Sequence, residues 1–253
     1  MNRANAQEFQ GLRWQHGLLA LVAFGSLGLV LSLPAIRQDA AYHLFADRRL
    51  LCGVPNFWDV ASNVPFLLVG IAGLKFCLGS GLRTGRACWL VLFAGVSLVS
   101  IGSGTYHWDP RDATLVWDRL PMTIAFMGLF VALLAEYVHA RLGDVLLVPM
   151  LLLGLFSVLY WQWADDLRLY IWVQLIPLLT IPVVMLLFRA RYSHSWFLAP
   201  ALGCYLLAKF AEVYDREFFA LTGGLFSGHS LKHVLAAAGC LAVLWMLRIR
   251  KPV

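Results

Sequence analysis

Long apolar runs constrain this chain more than any other feature of its sequence. Of its 253 residues, 60% are hydrophobic and 13% are charged. Eight runs are each near the roughly 17–25 residues that a helix needs to cross a bilayer. They lie at Gly17–Leu33, Asn56–Leu78, Ala87–Tyr106, Thr114–Tyr137, Val145–Trp161, Leu169–Phe188, Trp196–Tyr214 and His229–Leu247. Because a chain in lipid must satisfy its own backbone hydrogen bonds, these runs predict membrane-spanning helices.

The sequence therefore predicts an all-α integral membrane protein with about eight spans. No repeat, low-complexity tract or linker divides it, so we expect one membrane-embedded domain over residues 1–253. The seventh run is the least regular, because Lys209 and Glu212 interrupt it. These two residues are three apart, which favours an ion pair within one helix.

Basic residues cluster at the ends of the apolar runs, which is typical of membrane topology and does not indicate a nucleic-acid site. With eight spans, both termini and the even-numbered loops share one side of the membrane. That side carries Arg3, Arg13, Lys75, Arg83, Arg86, Arg141, Arg189, Arg191, Arg248, Arg250 and Lys251. The opposite side carries Arg37, Arg48, Arg49, Arg111, Arg168 and Arg216. The positive-inside rule therefore predicts that both termini are cytoplasmic.

Polar residues at the ends of several runs fall at one membrane level. Ser103 and His107 end the third run, Asp118 lies near the start of the fourth, and His229 and His233 begin the eighth. Two residues four apart share one face of a helix, so each such pair points in one direction. Since the third run crosses outward and the other two cross inward, we expect all five side chains near the extracytoplasmic face.

The second run also begins at this level, with Asn56, Asp59, Ser62 and Asn63. Ser62 and Asn63 could join helices by hydrogen bonds or could support a metal site. The sequence leaves both interpretations open.

Three imidazoles and a carboxylate at one level indicate a catalytic zinc site. Such sites take three protein ligands and keep one position for water, whose pKa falls to about 7. His107, His229 and His233 would be the ligands. Asp118 would accept the proton of the water and pass it on, and Ser103 would stabilise an oxyanion or orient the substrate.

Simpler interpretations exist for each polar residue. Asp118 could pair with the neighbouring Arg119, although consecutive helical residues do not face each other. Ser103 could hydrogen-bond back to its own helix. Lys232 could extend to the interface or contact a lipid phosphate. Polar side chains within spans are costly, however, so their convergence favours a functional site.

Three stretches carry a resemblance to a known family. They are PNFWDVASN at 55–63, SGTYHWDPRDATLVWDRLPM at 103–122 and GHSLKH at 228–233. Here the chain resembles the alkaline ceramidases, in a superfamily of seven-helix membrane hydrolases that also includes adiponectin receptors and GPI-remodelling proteins. The resemblance covers roughly residues 42–247. It implies a seven-helix core there, with 12–33 as an extra N-terminal helix.

The resemblance also implies an activity. Zinc would be held by His107, His229 and His233, with Ser103 and Asp118 at the catalytic centre. The reaction would cleave the amide of a ceramide-like lipid from the bilayer, giving a sphingoid base and a free fatty acid. We expect no nucleic-acid partner and find no indication of a protein partner.

Two departures from the family bear on calcium. Animal ceramidases have an acidic calcium-binding stretch before the first helix of the core, and its run of acids is missing here. Asn56 also occupies the place where that family has a glutamate. A calcium site is therefore doubtful, although Asp47 could partly substitute.

Alternative functions with the same residues remain. The substrate could be another N-acyl lipid or an ester lipid. The protein could also be a non-enzymatic membrane receptor that keeps zinc for stability. A transporter would instead favour polar residues through the midplane.

Overall fold

The computed structural model describes residues 14–253 except Ser80 and Arg83. Residues 12–13 of the predicted first helix, and Arg3, Arg13 and Arg83 of the topology argument, lie outside the described part. Within that part the chain is helical and contains no β-strand. The helices are α1 (Trp14–Ser32), α2 (Phe57–Ala61), α3 (Val64–Gly79), α4 (Arg86–Trp108), α5 (Asp112–Leu133), α6 (Arg141–Ala164), α7 (Arg168–Leu187), α8 (Leu198–Val213), α9 (Asp215–Leu221) and α10 (Gly228–Ile249).

These helices confirm the predicted all-α membrane fold. Eight helical stretches of the described chain are long and apolar enough to cross a membrane. One of them, Phe57–Gly79, combines α2 and α3, and another, Ser195–Val213, adds a short 3-10 turn to α8. The seventh span forms despite its charged residues, because Lys209 and Glu212 are paired as predicted. The chain is therefore a multi-pass membrane protein.

The second span is interrupted where its polar residues lie. The side-chain amide of Asn63 donates to the backbone carbonyl of Asp59 at 2.7 Å and so competes with the helical hydrogen bonds. The turn at Ser62 and Asn63 separates α2 from α3. Just before α2, the side-chain amide of Asn56 donates to the carbonyl oxygen of His107 at 2.8 Å and so ties this segment to the end of α4.

Helices α4 and α5 pack closely, and a glycine makes this possible next to Ser103. A methyl group on Gly102 would overlap the carbonyl oxygen of Trp117 on α5. Gly104, two residues along, faces open space. Glycine at 102 therefore lets the backbones of the two helices approach where α4 carries Ser103 and His107 and α5 carries Asp118.

Helix α1 lies at the edge of the bundle, where it packs mainly against α7. Arg168 at the start of α7 donates to the carbonyl oxygens of Leu31 and Leu33 at 2.8 and 2.7 Å, and so caps the end of α1. The same guanidinium hydrogen-bonds to Asp166 and lowers the pKa of that carboxyl. Most of the surface of α1 remains exposed to lipid.

Candidate metal centre and cavity

The three predicted histidine ligands meet at one end of the bundle. This end, here called the histidine end, is formed by the last turn of α4 and the first turns of α5 and α10. His107, His229 and His233 are each 4% exposed or less. Their ring centroids lie 4.7 to 5.0 Å apart. One potential ligand nitrogen from each ring lies within 4.8 Å of the others.

One pair of the potential ligand nitrogens has the spacing expected for a tetrahedral metal ion such as zinc. Nε2 of His107 lies 3.3 Å from Nε2 of His229. Two nitrogens bound tetrahedrally to zinc are separated by about 3.3 Å, given Zn–N distances of about 2.0–2.1 Å. The buried Nδ1 of His107 has no hydrogen-bond partner in the described structure. These three histidines are the residues of the described chain that could hold a metal ion.

Neighbouring side chains hold the rings in place. The hydroxyl of Ser62 lies 2.8 Å from Nδ1 of His233, which leaves Nε2 of that ring for a ligand. The ring of Phe45 packs against His107 and His229, with centroids 4.8 and 4.5 Å away. Of the two interpretations of Ser62, the contact with His233 therefore favours support of the histidine cluster.

The start of α10 is fixed by two carboxylates. Asp215 accepts from the backbone N–H groups of His229 at 2.7 Å and Ala46 at 2.8 Å. Asp59 is fully buried and accepts from the hydroxyls of Ser227 and Ser230 at 3.2 and 2.6 Å. Carboxylates at the N-terminus of a helix also interact favourably with the helix dipole. Together they fix the position from which His229 projects.

A cavity of about 320 Å³ opens next to His233, one of the three histidines. Its wall is mostly apolar and includes side chains from α4, α5, α7, α8 and α10. At the histidine end it is polar, where Ser103, Asp118 and His233 line it. An apolar cavity with a few convergent polar groups is the usual form of a binding site for an amphiphile.

Ser103 and Asp118 face this cavity, and their side chains interact. The simpler interpretation of Asp118 holds only in part. Asp118 forms no ion pair with Arg119 within 4 Å in the described structure, but both side chains line the cavity and the positive charge of Arg119 interacts with the Asp118 carboxyl. Ser103 makes no hydrogen bond to a carbonyl of α4, unlike Ser97 and Thr105.

Lys232 differs from its expected position. Instead of extending to the interface, it lines the cavity and lies 2.7 Å from Glu212 on α8. The expectation was wrong because α8 and α10 pack side by side, which brings Glu212 opposite Lys232. Glu212 also accepts from the hydroxyl of Tyr42 at 3.3 Å. Burial raises the pKa of Tyr42 well above its ordinary value, and the carboxylate of Glu212 raises it further, so this residue remains a neutral donor.

Sequence reasoning also missed Arg119 and Tyr42 as residues of this cavity. Arg119 gave a signal, since an arginine one turn inside an apolar run is costly and suggests a function. Tyr42 gave none, because it lies in the segment before α2 with no motif around it.

Asp47, the residue considered for calcium, is engaged elsewhere. Its two carboxylate oxygens accept from the guanidinium of Arg49 at 2.8 and 2.6 Å. A carboxylate bonded in this way to an arginine is a poor candidate for a calcium ligand.

A scan against protein-family models and a search of curated proteins both return no match for this chain.

Proposed function

We propose that this protein is a zinc-dependent hydrolase of N-acyl lipids, of the alkaline ceramidase type. The observation that carries the proposal is the joint position of three elements. Ser103, Asp118 and one member of the buried three-histidine cluster, His233, line the same apolar cavity within a membrane protein. A substrate that fits this site would place its apolar chain in the cavity and its amide at the histidines.

The three histidines, Asp118 and Ser103 could each carry out a different step of amide hydrolysis. When held by the three imidazoles, zinc would supply a Lewis acid that polarises a carbonyl and lowers the pKa of a bound water. Asp118 accepts a proton from the attacking water and delivers it to the departing nitrogen. The hydroxyl of Ser103 donates to the carbonyl oxygen as negative charge develops there. The C–N bond breaks, and the products are a carboxylic acid and an amine.

Most of the cavity wall is apolar, so the polar groups that line it lie in surroundings of low polarity. In such surroundings each hydrogen bond and charge acts more strongly than in water. The acyl chain would enter from the bilayer, because the cavity lies between helices whose outer faces contact lipid. With both termini in the cytoplasm, the histidine end lies near the extracytoplasmic face.

Metal content and product release test the proposal together. Purified protein should contain zinc in about 1:1 ratio and release fatty acid from ceramide, and His229→Ala should lose both. Asp118→Asn should keep zinc and lose turnover, because Asp118 holds no metal. The matched control is His194→Asn, at an exposed turn at the other end of the bundle, which should retain zinc and turnover.

Two outcomes would contradict the proposal. Stoichiometric zinc in His229→Ala would remove that residue from the ligand set. Full zinc binding without release of any fatty acid, from amide or ester lipids, would instead favour a non-enzymatic zinc protein.

A further inference from the structure

The cavity beside His233 extends equally far along four helices. At the histidine end its wall begins with one residue of each helix, Ser103, Asp118, Glu212 and Lys232. Its deepest residues on the same four helices are Leu92, Leu129, Ala201 and Val243. In each helix these two residues are eleven positions apart. Since an α-helix rises about 1.5 Å per residue, the cavity is about 16 Å deep.

Buried side chains close the cavity at its deep end. One helical turn beyond the deepest lining residue, these four helices and α7 each carry an apolar side chain that is at most 3% exposed. These side chains are Trp89, Leu133, Leu198, Leu247 and Val184. Residues one turn apart lie on the same face of a helix, so the five side chains lie beneath the cavity, and all belong to one apolar core cluster. The cavity therefore ends within the bundle, at what is here called the floor.

The wall becomes apolar with depth. Tyr205 and Gln174, partway down, hydrogen-bond to each other at 3.2 Å. Deeper than these two, the lining residues of α7 and α8 are leucine, isoleucine and alanine. An N-acyl chain is apolar from the first carbon after its carbonyl, whereas the chain of a sphingoid base begins beyond carbons that bear hydroxyls. Because a buried hydroxyl without a partner is costly, the deep part of the cavity suits the acyl chain.

From this geometry we propose that the floor limits the N-acyl chain of the substrate to about 14 carbons. The inference rests on the proposed function, because it names which lipids the same site accepts. An extended polypeptide gains about 3.3–3.6 Å over three backbone bonds, so an extended acyl chain gains about 1.2 Å per bond and fills the cavity with about 13 bonds. Lipid tails are as apolar as this wall, so burial by itself favours no chain length. Selection arises because a longer chain meets the floor.

A series of ceramides that share one sphingoid base tests the proposal. Their saturated acyl groups are octanoyl, dodecanoyl, tetradecanoyl, hexadecanoyl, octadecanoyl and tetracosanoyl, and kcat/KM is measured for each in mixed micelles. We expect similar values up to tetradecanoyl. Values for octadecanoyl and tetracosanoyl should be lower by about 10-fold or more, as for methylenes that do not fit an apolar pocket. Changing the length of the base at constant acyl length should have little effect.

A bulky side chain placed in the cavity should shorten the limit. Cys240 lines the cavity eight positions beyond Lys232, about 12 Å from the polar end. Cys240→Phe should therefore lower kcat/KM for dodecanoyl and tetradecanoyl ceramide by about 10-fold or more relative to octanoyl ceramide. The matched control is Leu241→Phe, which should leave the profile unchanged, because Leu241 is 47% exposed and does not line the cavity.

A smaller side chain at the deep end should lengthen the limit. Val243→Ala should raise kcat/KM for hexadecanoyl relative to tetradecanoyl ceramide, because Val243 is the deepest lining residue of α10. This variant tests the floor independently if Cys240→Phe does not fold.

Equal kcat/KM of the wild-type protein for tetradecanoyl and tetracosanoyl ceramide would overturn the proposal, because the chain would then leave sideways between helices. An unchanged profile in a folded Cys240→Phe protein would overturn it as well. The two proposals fail separately, because equilibrium binding of the same ceramides to Ser103→Ala needs no turnover. A chain-length limit in binding without any turnover supports the floor and rejects the hydrolase, whereas turnover without a limit does the reverse.

Discussion

At the scale of single residues, the histidine cluster depends on contacts that are not themselves ligands. Ser62 sets the orientation of His233 through Nδ1, and Phe45 packs against the other two rings. A hydrogen bond to the far nitrogen of an imidazole fixes its tautomer and its ring plane. Ser62 comes from the turn between α2 and α3, so a break in one helix orients a residue of another.

Removing this hydroxyl should weaken metal binding without abolishing it. We expect Ser62→Ala to lower zinc affinity by about 10- to 100-fold, as for other partners of metal-bound histidines. Competition with a chelator of known affinity measures the change. Ser157→Ala is the control, because that buried hydroxyl bonds within its own helix, to the carbonyl of Gly154. An unchanged affinity in Ser62→Ala would show that the contact does not support the metal.

At the scale of helices, the site exists because α4, α5 and α10 end or begin at the same level and approach closely. Gly102 allows α4 and α5 to come into backbone contact, and Gly228 does the same for α10, where a methyl group would overlap the carbonyl oxygen of Ala211 on α8. Small residues at such positions are the usual means of close packing between membrane helices.

A methyl group at Gly102 should separate α4 from α5 and disturb the site between them. We expect Gly102→Ala to destabilise the protein by about 1–3 kcal/mol, as for other overpacked positions, and to lower the thermal unfolding midpoint in detergent. Gly104→Ala is the matched control. It faces open space in the same helix and should be neutral or stabilising by up to about 1 kcal/mol. Equal midpoints for the two variants would contradict the packing argument.

At the scale of the molecule, the two ends of the bundle differ in how their buried charged side chains are paired. At the end opposite the histidines, Arg250 pairs with Glu136 at 2.6 and 2.7 Å, and Trp89 donates to the same carboxylate at 2.8 Å. This ion pair joins the end of α10 to the end of α5. The histidine end instead holds three imidazoles, and the buried guanidinium of Arg119 there forms no ion pair within 4 Å in the described structure. One end thus stabilises the bundle, and the other is suited to bind a ligand.

The proposed topology predicts which end is reachable from outside the cell. Cys52 is exposed and precedes α2 at the histidine end. A membrane-impermeant maleimide should label it in intact cells, and Cys52→Ser should abolish that labelling. A cysteine placed by Val253→Cys in the Cys52→Ser background should be labelled only after permeabilisation. Labelling of that second cysteine in intact cells would reverse the orientation.

Much of this architecture was predictable from the sequence. The eight spans follow from run length, because backbone hydrogen bonding in lipid leaves helices as the available structure. The common level of His107, His229 and His233 followed from the alternating direction of the spans, whereas their meeting around one point is seen only in the structure. Lys232 and Arg119 were not predictable in the same way. Spans that are apolar on most faces do not specify their rotation, and so do not indicate which residue of a neighbouring helix a charge will meet.

The sequence by itself determined the class of fold, the number of spans and the level at which the polar residues lie, since each follows from local composition and the length of a bilayer crossing. Only the tertiary structure decided which side chains face each other across helices. It joined Glu212 to Lys232, placed Ser62 behind His233, and surrounded Arg119 with aromatic rings. Those contacts depend on how close helices approach and how they are rotated, which is fixed by packing between segments far apart in the chain.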